Sequence, residues 1–260
     1  MNTLKDITDS INYARRIQQA ILPDPQLFKT LLPDSFIFYR PKDIVSGDFY
    51  WITEQEGIVY YAAADCTGHG VPGGFMSVLG ASLLNEVINE KKIREPGEIL
   101  DMLRNKIIAA LRQKGETGEN KDGMDMVLCR FDRSKNELVF AAANNPAWLV
   151  RNSNGEKELI EFKPDKQPVG IGVENPVRFS QQVIKLQRND RIYIFTDGFA
   201  DQFGGPKGKK FKYRQFHETL VSIGDLPMEQ QGEHLEKTFE AWKGELEQVD
   251  DVLIIGLKIS

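Results

Sequence analysis

Four short acidic segments, scattered along nearly the whole chain, limit what it can fold into. They are Ser46-Gly47-Asp48, Ala64-Asp65-Cys66-Thr67-Gly68-His69-Gly70, Phe195-Thr196-Asp197-Gly198 and Val249-Asp250-Asp251-Val252. Three abut an apolar run rich in β-formers, and Asp48 opens an aromatic one. A strand end fixes a carboxylate rigidly while leaving it at a surface. Carboxylates gathered this way repel one another and shift their pKa values unless a positive charge lies between them. A hard divalent cation meets that need, because Mg²⁺ and Mn²⁺ take oxygen ligands from a few carboxylates and water. The first and last segments then have to meet in space, which demands one domain.

Hydrophobic periodicity supplies the order of elements. Residues 3–22 read as a helix, with Leu4, Ile7, Ile11, Ala14 and Ile21 spaced by three and four and one gap at Gln18. Pro23 and Pro25 end it. The stripe is too short to define a coiled coil. Two readings stay open: a face packed on the domain, or a dimer or linker seam. Strands are predicted at 36–40, 48–54, 58–65, 125–131, 137–143, 147–151, 158–162, 177–186, 191–196 and 252–259. Helices are predicted at 72–91, 96–114, 212–223 and 227–246, the first with Phe75, Met76, Leu79, Leu83, Leu84 and Val87 on its apolar face. Residues 115–123 and 198–210 read as loops. Helices thus fall in pairs between blocks of strands, which predicts an α/β fold of the α+β type. Two packed antiparallel sheets would be flanked by helix pairs. Residues 1–25 form an N-terminal linker helix in this division, and 26–260 the catalytic domain.

Composition and motif checks remove several function classes. The net charge of −5 gives no support to nucleic-acid binding. Cys66 and Cys129 make no disulfide framework and no CxxC pair, so a reducing cytoplasm is the expected compartment. No apolar run reads as a membrane span. A Cys-x5-Arg loop is missing, since Pro72 follows Cys66 at that offset and Lys135 follows Cys129. There is no HExxH and no GxSxG elbow, and the glycines and lysines of 204–210 lack the spacing of a phosphate-binding loop. With no covalent nucleophile in evidence, a metal-activated water is favoured.

Longer motifs around the acids carry a family resemblance. Residues 11–23 (INYARRIQQAILP), Pro41–Trp51 (PKDIVSGDFYW) and Asp65–Gly73 (DCTGHGVPG) resemble the SpoIIE/RsbU-type serine phosphatases of bacteria. So do Ala143-Asn144-Asn145-Pro146, Phe195–Asp201 (FTDGFAD) and Asp250-Asp251. The order and spacing match over residues 10–260. These enzymes belong to the metal-dependent protein phosphatases of type 2C. The resemblance implies two Mn²⁺ or Mg²⁺ ions, with a third, weaker one as an option. A water bridging the ions would attack phosphoserine or phosphothreonine. Asp48 and Asp65 match the acids that contact the metals, with Asp65 bridging, and the backbone carbonyl of Cys66 matches a ligand position. Asp197 and Asp250 match the remaining acids of one metal. Asp251 fills the place beside a ligand, and an exchange of roles with Asp250 stays open.

The chain also departs from its better-known relatives. Thr67 stands where eukaryotic members carry a His, and His69 lies two residues further on, as an acid or as a pin for the turn. No arginine aligns with their phosphate-gripping one; Arg40 and Lys42 are the nearest cations. Asp125 is an extra acid that would reach a metal, cap a strand or sense the N-terminal helix. Lys207, Lys209 and Lys210 would be a solvated loop or a flap that attracts an acidic phosphoprotein. The family implies a phosphoprotein substrate, such as a STAS-domain anti-sigma-factor antagonist, in bacterial signalling. It also implies, as an alternative, the cytoplasmic part of a longer sensor protein. Two other classes remain: a non-catalytic binding module with this fold, and a small-molecule phosphatase or phosphodiesterase.

Overall fold

The structure, a computed structural model, describes residues 2–114, 121–153, 155–172 and 176–260. Two antiparallel sheets stack face to face. One has the order β1-β13-β10-β6-β7, from Ser35–Arg40 (β1), Val252–Lys258 (β13), Arg191–Phe195 (β10), Ala147–Ser153 (β6) and Glu156–Phe162 (β7). The other has the order β2-β3-β4-β5-β9, from Phe49–Gln55 (β2), Ile58–Cys66 (β3), Gly123–Asp132 (β4), Glu137–Ala143 (β5) and Gln182–Lys185 (β9). A two-residue strand, Val169–Gly170 (β8), adds to β4.

Side chains alternate across each strand, so every central strand serves two cores. Leu253, Ile255 and Leu257 of β13 face Val59, Tyr61 and Ala63 of β3 between the sheets. Val252 and Ile254 point the other way, onto Phe216, Leu220, Leu235 and Phe239 of helices α6 (Lys212–Ser222) and α7 (Met228–Lys243). On the far side, Tyr60, Ala62 and Ala64 of β3 meet Met76, Ala81 and Leu84 of α3 (Gly70–Leu84) and Ile99, Leu103 and Ile107 of α4 (Pro96–Ala110). The result is four layers: helices, sheet, sheet, helices.

Several expectations need correction. The strand expected at 177–186 is only Gln182–Lys185. The backbone before it is claimed by side chains instead: Arg104 Nη1 donates to Val177 O at 2.8 Å, Phe179 N donates to Asp101 Oδ1 at 3.2 Å and Ser180 N to Asp165 Oδ2 at 2.7 Å. Phe75 is 75% exposed, because the inward face of α3 is made by Met76, Gly80 and Ala81, one position round the helix. A short helix α2 (Pro25–Leu31), capped by Asp24, was not predicted; its Phe28 seals the sandwich edge against Tyr50. Residues 198–210 hold a helical turn α5 (Gly198–Asp201) and a hairpin, Phe203–Gly204 (β11) with Lys209–Lys210 (β12). The loop expected at 115–123 lies mostly outside the described residues. Against the expectation that no apolar run reads as a membrane span, Gly70–Glu90 passes as one by length and composition; half of its most apolar stretch is buried in this fold.

The helix α1 (Asn2–Ile21) packs on α3 through its C-terminal half. Its stripe continues uncovered at Leu4 and Ile7, which are 76% and 52% exposed.

Ile255 is fully buried between the sheets and pairs with Ile37 and Ile194 on its neighbours. Ile255→Ala should cost about 2–5 kcal/mol of stability, read by urea unfolding of the purified chain.

Candidate active site

Antiparallel pairing gathers the acids. The start of β13 lies beside the end of β10, with Phe195 opposite Ile254, so Asp197 and the Asp250-Asp251 pair emerge together. In the other sheet the start of β2 lies beside the end of β3, with Phe49 opposite Ala64, which brings Asp48 to Asp65. Asp125 of β4 is the direct cross-strand partner of Asp65. The stacking of the sheets then joins the two groups at one edge.

Hydrogen bonds hold this edge together. Asp251 is buried, and both its oxygens receive backbone donors: Lys42 N on Oδ1 at 2.7 Å and Gly47 N on Oδ2 at 2.8 Å. The last acidic segment thereby clasps the first. Gly47 has to be a glycine, since a Cβ there would overlap Gly68 O and approach Cys66 O. Thr196 links the sheets: its hydroxyl donates to Asp48 Oδ2 at 2.6 Å and accepts from Leu253 N at 3.0 Å. Asp250 Oδ1 accepts from Asp251 N at 2.9 Å. Asn144 Nδ2 donates to Asp125 Oδ1 at 2.8 Å.

The charge at this edge is uncompensated. Burial, and then Asp65, pushes the Asp48 carboxyl well above the usual carboxylate range, against the bond from Thr196. Asp65 is raised by burial and then by Asp197, Asp250 and Asp125. Asp197 is raised to about 6 by burial and by Asp201, Asp250 and Asp125, with Lys210 opposing. The donors are all oxygen, and no cation figures among the main influences on Asp48 or Asp65. That chemistry fits a hard divalent cation. As the carboxylates stand, no three His, Cys, Asp or Glu side chains among the described residues close on a single point.

The remaining candidates have different surroundings. His69 accepts from Lys42 Nζ on Nε2 at 3.0 Å, because an ammonium only donates. The ring proton is then on Nδ1, which faces Asp43 Oδ2 at 2.6 Å. The Arg40 guanidinium pairs with Glu240 of α7, lies over the Phe239 ring and donates to Gln248 Oε1 at 3.0 Å. Lys210 pairs with Asp201 at 2.7 Å, while Lys207 and Lys209 stand exposed on the hairpin.

Gln18 was only a gap in the helical stripe. Its buried amide donates from Nε2 to Ser46 O and to Ser77 Oγ, both at 2.7 Å, and Oε1 accepts from Ser46 N at 3.2 Å. The N-terminal helix is thus bonded to the segment that carries Asp48. A polar residue inside an apolar stripe was the available signal.

A four-layer sandwich with its carboxylates at one edge defines the PP2C fold class. The sequence matches the family described as Stage II sporulation protein E (SpoIIE) over residues 55–260. The chain belongs to this SpoIIE family of PP2C-type serine/threonine phosphatases. It is 33% identical to the SiaA-PP2C domain of Pseudomonas aeruginosa, with a TM-score of 0.87 and 99% of each chain covered. The PP2C phosphatase domain of SpoIIE from Bacillus subtilis, solved with a fragment of its regulatory domain, shares the fold at 16% identity and a TM-score of 0.67; 86% of this chain and 62% of that one are covered. RsbX, solved in complex with magnesium, shares it at 11% identity and a TM-score of 0.57, with 87% of this chain and 94% of that one covered. Among curated proteins, none matches in sequence.

The raised Asp197 carboxyl retains its proton in the folded chain at pH values where the unfolded chain has lost it. Its contribution to stability therefore falls as pH rises from 3.8 to about 6 and stays low above that. In chelator, Asp197→Asn should gain thermal stability over wild type across this window. A constant difference in unfolding midpoint from pH 4 to 7 contradicts the assignment.

Proposed function

We propose that this chain hydrolyses phosphoserine or phosphothreonine in a protein, with divalent cations held by Asp48, Asp65, Asp197, Asp250 and the Cys66 carbonyl. The observation that carries this reading is the group of buried, mutually repelling carboxylates, among which Asp48 and Asp65 have no cation among their main influences and Asp197 has only Lys210. Bound Mg²⁺ or Mn²⁺ supplies Lewis acidity, lowering the pKa of water and offsetting charge that develops on a phosphoryl group. The magnesium in the RsbX structure supports Mg²⁺ as one such ion.

The chain's own residues divide the remaining work. Asp251 spends both oxygens on backbone N–H groups, so we assign it to holding the loop and Asp250 to the cation. Asp125, opposite Asp65 and steadied by Asn144, suits a third, weaker ion. His69 pins the turn through Asp43 and Lys42. Lys42 at the rim and Lys207 and Lys209 on the hairpin are the proposed contacts for an anionic phosphoprotein. Arg40 is left out because Glu240 and Gln248 engage it. A STAS-domain phosphoprotein and a cytoplasmic setting belong to the same proposal by family likeness.

Asp65→Asn should lower Mn²⁺-dependent hydrolysis of a phosphoserine peptide by about 100-fold or more, the scale of losing one transition-state stabilising group. Full activity of that variant in chelator would sink the proposal. Faster turnover of nucleotides than of phosphopeptides would transfer the site to a small-molecule phosphatase. A second copy of the chain seated on the uncovered end of α1 is also part of the proposal. Leu4→Asp with Ile7→Asp should then halve the sedimenting mass, and an unchanged mass rejects the seam.

A further inference from the structure

We infer that Gln202 is a positioning residue that sets the spacing between Asp197 and Asp250; the inference rests on the reading of these two acids as ligands of one cation. Asp197 precedes the single turn of α5, and Asp201 N closes it by donating to Asp197 O at 3.0 Å. Gln202 ends the same turn and is fully buried. Its side chain crosses to the segment before β13. Nε2 donates to Glu247 O at 2.9 Å, and Oε1 accepts from Val249 N at 3.1 Å. An amide carries a donor and an acceptor on one rigid plane, so these bonds fix both distance and orientation. The Asp197 loop and the Asp250 loop are joined through this one side chain. At Gly198 the two backbones approach so closely that a Cβ would overlap Asp251 O.

The backbone of Gln202 anchors the lysine hairpin as well. Its carbonyl accepts from Trp242 Nε1 at 3.0 Å and from Phe211 N at 2.9 Å, which grips both ends of residues 202–211. Gly205 N donates to Trp242 O at 2.8 Å. From the opposite side Gln248 bonds β1: Nε2 donates to Arg40 O at 2.9 Å and Oε1 accepts from Arg40 Nε. Gln248 Nε2 donates to Asp250 O as well, at 2.8 Å, so the segment 247–250 is held between two glutamines, one fixed to the sheet and one to the turn that carries Asp197.

Leucine removes the polar atoms of Gln202 and leaves Glu247 O and Val249 N without their partners. Residues that orient metal ligands typically contribute about 10–100-fold in affinity. Calorimetric titration of the full chain with Mn²⁺ alone tests the inference, without any turnover. Wild type should show two ions, and Gln202→Leu should weaken one of them by about 10-fold or more while leaving the other unchanged. Gln202→Met, an unbranched side chain of similar length, should do the same, and it carries the test if the leucine variant does not fold. A purely structural role would lower the unfolding temperature of both variants and leave the Mn²⁺ isotherm as in wild type; that result overturns the inference alone. Equal weakening of both ions overturns it too. Absence of Mn²⁺ binding by wild type would overturn the cation reading, and this inference with it.

Discussion

Repulsion between carboxylates buried at one edge of the sandwich is the constraint on which the rest of this structure depends. Asp48 and Asp251 are only 2% exposed; Asp65, Asp251 and Asp250 press on Asp48 electrostatically, and Asp250 presses on Asp251. Buried ionised groups without partners are costly, and a protein left alone with them holds protons instead. The fold bears that cost because the acids stand at the ends of strands whose other residues fill three apolar cores. Packing supplies the stability that the acidic edge withdraws.

The edge is built from bonds that join distant parts of the chain. The two N–H groups on Asp251, the Thr196 hydroxyl on Asp48 and the amides of Gln18 and Gln202 each join segments remote in sequence or from different layers. None is strong alone, since a hydrogen bond adds about 0.5–1.5 kcal/mol net. Their geometric effect is larger. Each narrows the positions open to a carboxylate, and preorganisation of that kind is what charge-stabilising chemistry needs. The N-terminal helix enters the same web at Ser46, two residues before Asp48.

The layered fold was legible because its signals are local. The continuous apolar run of 252–257 and helical spacing in 99–107 survive any tertiary context that buries them. Reading failed where side chains took over the backbone. Residues 177–181 look like strand by composition, but Asp101, Arg104 and Asp165 hold their polar groups. Phe75 looked inward on the same helical pattern as Met76, and the choice between them was made by where Gly80 lets α3 approach Phe49. Gln202 gave no signal, since a lone glutamine in a loop resembles any solvated residue.

The sequence by itself determined which acids border strand ends. A carboxylate beside glycine at the end of an apolar run is a local pattern, and its motifs persist along the chain. Only the tertiary structure decided how the two adjacent acids of the last segment are bonded. Asp250 and Asp251 are chemically identical and adjacent, so nothing in the sequence separates them. The antiparallel register turns one toward Lys42 N and Gly47 N and leaves the other an oxygen to offer. That distinction depends on which backbone donors come within about 3 Å, and those donors belong to residues about 200 positions away.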